Sequence, residues 1–146
     1  MDIRFYGPAD YAEWLRMRAA LWPHHPSEEK EQDAAEWLAR TDAAVLVAAR
    51  PGGAGLAGFA EVGERGYADG CRTSPVAYLE GWYVDPDVRR QGVGAALVRA
   101  AGVRALERGY RELASDALLE NTTSQRAHTA LGFVEVERSV KYRRTL

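Results

Sequence analysis

Hydrophobic and polar positions along this chain alternate between a period of about two and one near 3.6, and the switches mark its elements. Residues 3–6, Ile-Arg-Phe-Tyr, read as a first strand that stops at Gly7-Pro8. Trp14, Leu15, Arg18 and Leu21 then recur at helical spacing, with Asp10 as the expected N-cap. Pro23 and Pro26 break that helix, and Ser27 opens a second one expected to reach about Arg40. The apolar run 43–49 reads as a strand. Pro51-Gly52-Gly53 is its turn, and 56–62 is the returning strand of an antiparallel hairpin. Residues 63–75 carry no clear period and are expected to form a loop.

Residues 76–84, Val-Ala-Tyr-Leu-Glu-Gly-Trp-Tyr-Val, read as a central strand rich in aromatic and branched side chains. Two residues interrupt it. A carboxylate inside a buried strand is costly unless something pairs with it, so Glu80 needs a partner or a purpose. Gly81 beside it points to a bulge or a close backbone approach. A helix is expected over 92–108, with Val93, Leu97, Ala100, Val103 and Leu106 at helical spacing and Gly109 as its stop. A short strand over 111–116 follows, then a helix from Thr122 or Thr123 to Leu131. Two closing strands are expected over 133–137 and 139–143. The order implies an α+β fold: a mixed, largely antiparallel sheet with flanking helices and one strand–helix–strand crossover over 78–116.

Composition narrows the class. A chain of 146 residues, 47% hydrophobic and 27% charged, fits one domain over 1–146 with a single sizeable core. One cysteine, Cys71, excludes an internal disulfide framework and reads as a small packing residue. His24 and His25 flank a proline loop without ligand spacing, so no metal is expected. No apolar run approaches the ~20 residues that cross a bilayer, and the start Met1-Asp2-Ile3-Arg4 opens no signal-peptide pattern. A cytoplasmic location is the resulting expectation.

The net charge of -2 gives no general attraction to nucleic acid. Its distribution says more. Residues 86–111 carry six arginines against Asp87 and Glu107, whereas 112–137 carry five acids against Arg126. That pattern fits an anionic and a cationic ligand held side by side; it also fits two solvated faces.

The basic stretch has a mechanism. A strand, then Arg89-Arg90-Gln91-Gly92-Val93-Gly94, then a helix is a phosphate-binding arrangement. A helix N-terminus presents free N–H groups and a partial positive charge, and glycines let the backbone wrap an anion. Neither a Walker loop nor G-x-G-x-x-G is present. A helix start with a glycine turn is the plainer alternative.

Here the chain resembles the GNAT superfamily of N-acetyltransferases, whose pyrophosphate loop is Arg/Gln-x-x-Gly-x-Gly/Ala. Arg89 to Gly94 match its fixed positions, and Asn121, a helix and Leu131-Gly132-Phe133 follow at the family's spacing. The resemblance implies acetyl-CoA as donor and central strands that splay to admit its pantetheine arm. A narrower resemblance, to aminoglycoside 6'-N-acetyltransferases, runs over nearly the whole chain. It rests on Leu21-Trp22-Pro23-His24-His25-Pro26, Tyr67-Ala68-Asp69-Gly70-Cys71, Ser74-Pro75-Val76 and Leu79-Glu80-Gly81. Ala114-Ser115-Asp116, Glu120-Asn121-Thr122, Ser124-Gln125, His128, Glu137-Arg138 and Tyr142-Arg143 extend it.

What the resemblance implies is specific. The cationic antibiotic would meet Trp22, Tyr67, Glu80, Asp116 and Glu137. Donor contacts would fall on Trp82, Tyr83, Val84, Arg89, Arg90, Gln91, Gly92, Val93, Gly94 and Asn121. Glu80 and Asp116 sit on strands expected to lie side by side, ~4.8 Å apart, so both could converge on one ammonium. Glu80 would act as base through water; its plainer reading is a strand charge paired with a core arginine. Asp116 would orient the amine, or else cap the following turn. Trp22 could plug a loop, and Glu137 could sit on a solvated face. His128 takes the position where many acetyltransferases place a tyrosine that protonates the departing thiolate; it could also simply pack. A backbone N–H near Tyr83 or Val84 would polarise the thioester carbonyl. The family also implies a homodimer, with Val140 and Tyr142 as candidates for its interface. Acetylation of another small polyamine, and a non-catalytic acyl-CoA sensor, remain as competing functions.

Overall fold

The computed structural model describes residues 1–146, apart from the side chain of Ser27. Five strands pair in chain order: β1 (Asp2–Phe5), β2 (Ala44–Ala49), β3 (Leu56–Arg65), β4 (Val76–Val84) and β5 (Leu113–Ser115). β1 to β4 are antiparallel, and only β4 and β5 are parallel. Helices α1 (Tyr11–Leu21) and α2 (Ser27–Ala39) cover one face, α3 (Val93–Glu107) covers the other, and α4 (Thr122–Ala130) follows β5. The crossover expected from the sequence is β4–α3–β5.

Burial on both faces explains the unbroken apolar run of β2. Val45 and Val47 pack with Trp14, Met17, Ala34, Trp37 and Phe59. Leu46 and Ala48 point the other way, into a core that contains Ala60, Leu79, Val93 and Leu97.

Three expectations change. The buried stripe of α3 is Val93, Leu97, Val98, Ala101, Arg104 and Ala105, while Val103 and Leu106 face outward. The sequence offered apolar residues all around this helix, so spacing alone did not fix its inner face. Asp10 stands at the N-cap of α1 but makes no side-chain cap there; its carboxylate accepts from Gly7 N at 2.8 Å and from Arg4. Residues 134–146 form no strand, and Val134, Val136, Val140 and Tyr142 are exposed. A strand needs a neighbouring backbone to pair with. None of the described residues gives this segment one.

Among the described residues no helix is long and apolar enough to cross a membrane, and no group of His, Cys, Asp and Glu could hold a metal ion.

Candidate active site

The two interruptions of β4 share one structural cause. β4 pairs Gly81 with Glu61 and Leu79 with Val62, so Glu80 is the extra residue of a bulge. Gly81 is the close approach. A Cβ there would lie 2.9 Å from the ring of Trp22, which crosses the strand at that point and meets Phe59 edge-on. Trp22 therefore lies directly beside Glu80 along the chain of β4.

Trp22 is held from behind by a buried ion pair. Glu61 is 1% exposed and accepts from Arg18 Nε at 2.7 Å and from Trp14 Nε1 at 3.1 Å. The Arg18 guanidinium lies 5.1 Å over the Trp14 ring and 4.9 Å over that of Trp22. Burial pushes the Glu61 carboxyl up, against the opposing pull of Arg18 and Trp14. The sequence carried the signal, since Glu61 interrupts the apolar run 56–62 as Glu80 interrupts 76–84.

Glu80 has a partner, Arg65 at the end of β3, bonded through Nε at 2.6 Å and through a terminal nitrogen at 2.8 Å. Pairing with an arginine was the plainer expectation for Glu80, but Arg65 is half-exposed rather than a core residue. Its guanidinium also lies 3.5 Å from the centre of the Tyr78 ring. The Tyr78 hydroxyl in turn donates to Asp116 at 2.5 Å. Burial, then the Asp116 carboxylate, pushes the Tyr78 phenol well up. The hydrogen bond of Asp116 thus goes back to β4 rather than into the following turn. Tyr78 and Arg65 link the two carboxylates, and spacing within the sequence announced neither.

Beside this cluster the sheet opens. Pairing of β4 with β5 ends at Leu79–Ser115, whereas β4 continues to Val84. Asp85 N donates to Ala57 O on β3 at 2.7 Å. Strand alternation therefore aims the N–H of Tyr83 at β3 and that of Val84 into the opening. His128 stands at this gap. Its Nδ1 lies 2.7 Å from Ser124 O, a carbonyl that can only accept, so Nδ1 carries the proton. Nε2 lies 2.8 Å from the Ser115 hydroxyl, which also donates to Leu79 O at 3.3 Å. The ring packs edge-on against Trp82 and Phe133.

The phosphate loop lies at the far end of β4. Gly92, at φ 84°, precedes α3, whose N-terminus has no side-chain cap; a Cβ on Gly92 would meet nothing within 4 Å. Gly94 lets Trp82 come close, and Trp82 Nε1 donates to Gly94 O at 3.1 Å. Val93 is buried, while Arg89, Arg90, Gln91 and Gly92 are exposed. Arg89 donates to Val84 O at 2.8 Å and reaches over the Tyr83 ring. An uncapped helix N-terminus, an unhindered glycine and two arginines suit a pyrophosphate. The preceding turn is braced by residues the sequence did not single out. Asp85 accepts from Arg16 at 2.9 Å and from Arg50 at 3.1 Å, and Arg50 also reaches Asp87. Burial raises the Asp85 carboxyl, but the two guanidinium groups outweigh it and hold it below its usual range.

The remaining expected residues are spread more widely. Tyr67 is 72% exposed, and its hydroxyl donates to Asp69 at 3.0 Å. Asp69 pushes the carboxyl of Glu137 up, which sets Glu137 near the Tyr67 loop. Asn121 caps α4 through its bond with Ser124 N at 3.1 Å. A cleft of about 1160 Å³ between α3, β5, α4 and the C-terminal segment brings together Asp116, His128 and Glu137. Trp22, Tyr67, Glu80 and the phosphate loop lie outside its walls.

The Acetyltransferase (GNAT) family model matches residues 11–133. The chain is 49% identical to aminoglycoside N(6')-acetyltransferase type 1 of Klebsiella aerogenes, over 99% of this chain and 96% of that protein. It superposes with a TM-score of 0.90 on AAC(6')-Iy in complex with the bisubstrate analogue CoA-S-monomethyl-acetylneamine, at 39% identity over 99% of this chain and 98% of that one. The apo 6'-N-acetyltransferase AAC(6')-IG of Acinetobacter haemolyticus also superposes at 0.90, with 35% identity over 100% and 99% of the two chains. The chain therefore belongs to the GNAT acetyltransferase family, among the type 1 aminoglycoside N(6')-acetyltransferases.

Proposed function

We propose that this protein transfers the acetyl group of acetyl-CoA to the 6'-amine of aminoglycosides and so confers resistance to them. The observation that carries this reading is the position of Glu80 and Asp116. These two carboxylates, joined through Tyr78 and Arg65, stand beside the point where β4 and β5 part. The relative whose structure holds a CoA–acetylneamine analogue adds support. Acetyl-CoA would lie with its pyrophosphate on residues 89–94 and its thioester in the opening, where it offers an activated acyl carbon.

The remaining roles belong to the chain's own side chains and backbone. Glu80, through water, takes the proton from the attacking ammonium. Asp116 orients the amine and holds a neighbouring positive charge, and Trp22 and Tyr67 offer flat surfaces to sugar rings. The Val84 N–H polarises the thioester carbonyl. As the C–N bond forms and the C–S bond breaks, the leaving thiolate takes a proton. The Ser115 hydroxyl would pass it on only from an imidazolium at His128, whose Nε2–H refills the hydroxyl as its own proton leaves. The reaction belongs in the cytoplasm, where acetyl-CoA is made.

The test is thiol release from acetyl-CoA with kanamycin, gentamicin and spermidine. The antibiotics should be turned over and spermidine should not. Asp116→Asn keeps the shape and removes the charge, so kcat/KM for kanamycin should fall ~10–100-fold with the acetyl-CoA KM unchanged. That follows from ~1.5–3 kcal/mol per charge-assisted hydrogen bond. Turnover of spermidine alone would favour a polyamine substrate, and no thiol release with any amine would favour a sensor.

The same reading makes the protein a homodimer. Residues 134–146 leave Val134, Val136, Val140 and Tyr142 exposed and unpaired by any strand. A second copy is the partner that would cover such a segment. Sedimentation equilibrium at micromolar concentration should give twice the 16.1 kDa chain mass. A mass of one chain would overturn the assembly.

A further inference from the structure

The acceptor site already holds a positive charge of its own. Arg65 bonds Glu80 with two nitrogens, at 2.6 and 2.8 Å, and lies flat on Tyr78, whose hydroxyl is bonded to Asp116. The guanidinium therefore stands where an acceptor ammonium, or the water joining it to Glu80, would have to stand. Arg65 is the last residue of β3, paired with Val76, and its side chain is 44% exposed. It can swing into solvent without disturbing the sheet.

We propose that Arg65 sets the acceptor specificity of this enzyme, as a resident cation that only a substrate carrying several ammonium groups displaces. This rests on the function proposed above. Replacing one cation by another on Glu80 gains little, because a charge-assisted pair is lost for each one formed. An acceptor with a single amine has nothing further to offer. A polycation also binds Asp116, and its other ammonium groups reach further acids, so it brings the surplus that moves Arg65 aside. Displacement also frees both Glu80 oxygens from the guanidinium as the reactive amine arrives. Arg65 thus acts through Glu80, as a positioning residue.

The experiment compares two acceptors on the folded enzyme: kanamycin, and methyl 6-amino-6-deoxyglucoside, which carries the 6-amine and no other charge. Arg65→Met keeps the stem and removes the charge. For the single-amine sugar kcat/KM should rise about three- to tenfold, mostly through KM. The gain for kanamycin should be smaller, so that the ratio of the two kcat/KM values narrows, and the acetyl-CoA KM should not move. Arg65→Lys should restore the wild-type preference. If the neutral variant is unstable, Arg65→Gln serves in its place. A loss of rate for both acceptors, or a single-amine sugar that gains nothing while kanamycin is still turned over, overturns the role of Arg65 alone. If wild-type protein acetylates no aminoglycoside, the function itself falls, and this inference falls with it.

Discussion

Arg18→Met should destabilise the protein by about 3–5 kcal/mol at neutral pH, roughly 6–20 °C in Tm. The variant keeps the apolar stem but leaves the Glu61 carboxylate, 1% exposed, with Trp14 Nε1 as its only remaining partner of the bonds described. A buried charge stripped of its counter-ion is among the most expensive single changes a domain can suffer. The pH dependence follows from the direction of the shift. Burial already raises the Glu61 carboxyl, and removing Arg18 takes away the largest opposing pull. Below the unfolded value, near 4.3, the group is neutral in both states and the deficit is smallest. As pH rises the unfolded chain ionises first, so stability is lost until the folded value is passed. Adding Glu61→Gln should recover most of the loss, since the amide stays neutral and still accepts from Trp14. Thermal melts at pH 4 and 7 decide it. A variant that melts with wild type at pH 7, or whose deficit grows on acidification, would mean that Arg18 and Glu61 are not a buried pair.

Glu80→Gln should lower kcat for kanamycin by about 100-fold at pH 6, with the acetyl-CoA KM unchanged. Positioned general bases contribute ~10²–10⁴-fold, and glutamine cannot take a proton. The defect should shrink as pH rises, because the free amine then arrives already deprotonated and needs no base. Binding should suffer less than turnover, since Asp116 and its bond from Tyr78 are untouched. A pH–rate profile measured on both enzymes separates the alternatives. A constant ratio across the range would make Glu80 a binding group, and an unchanged kcat would remove it from the chemistry.

Local signals were legible wherever the chain itself carries the physics. The span of β4 was readable to the residue because a nine-residue run rich in branched and aromatic side chains is bounded by Pro75 and Asp85. The phosphate loop was readable because glycine at a left-handed φ and a helix start are properties of a few consecutive residues. The bulge at Glu80 and Gly81 was announced by two residues that do not suit a plain strand, and the structure explains both through Trp22 and Arg65. The resemblance of motifs carried family and fold further than periodicity could.

What the sequence determined alone was therefore the five strands and four helices up to residue 131, the anion-binding turn and the carboxylates that needed explaining. Tertiary structure decided which partner each charge takes. Arg18 finds Glu61 across 43 residues, Arg16 finds Asp85 across 69 and Tyr78 finds Asp116 across 38. It also decided that α3 buries Arg104 and turns Leu106 outward, and that residues 134–146 gain no strand within this chain. The reason is the same in each case. A turn, a cap or a helical period is settled by neighbours a few positions away, but ion pairs and strand ladders are settled by whatever backbone and side chains the fold brings alongside.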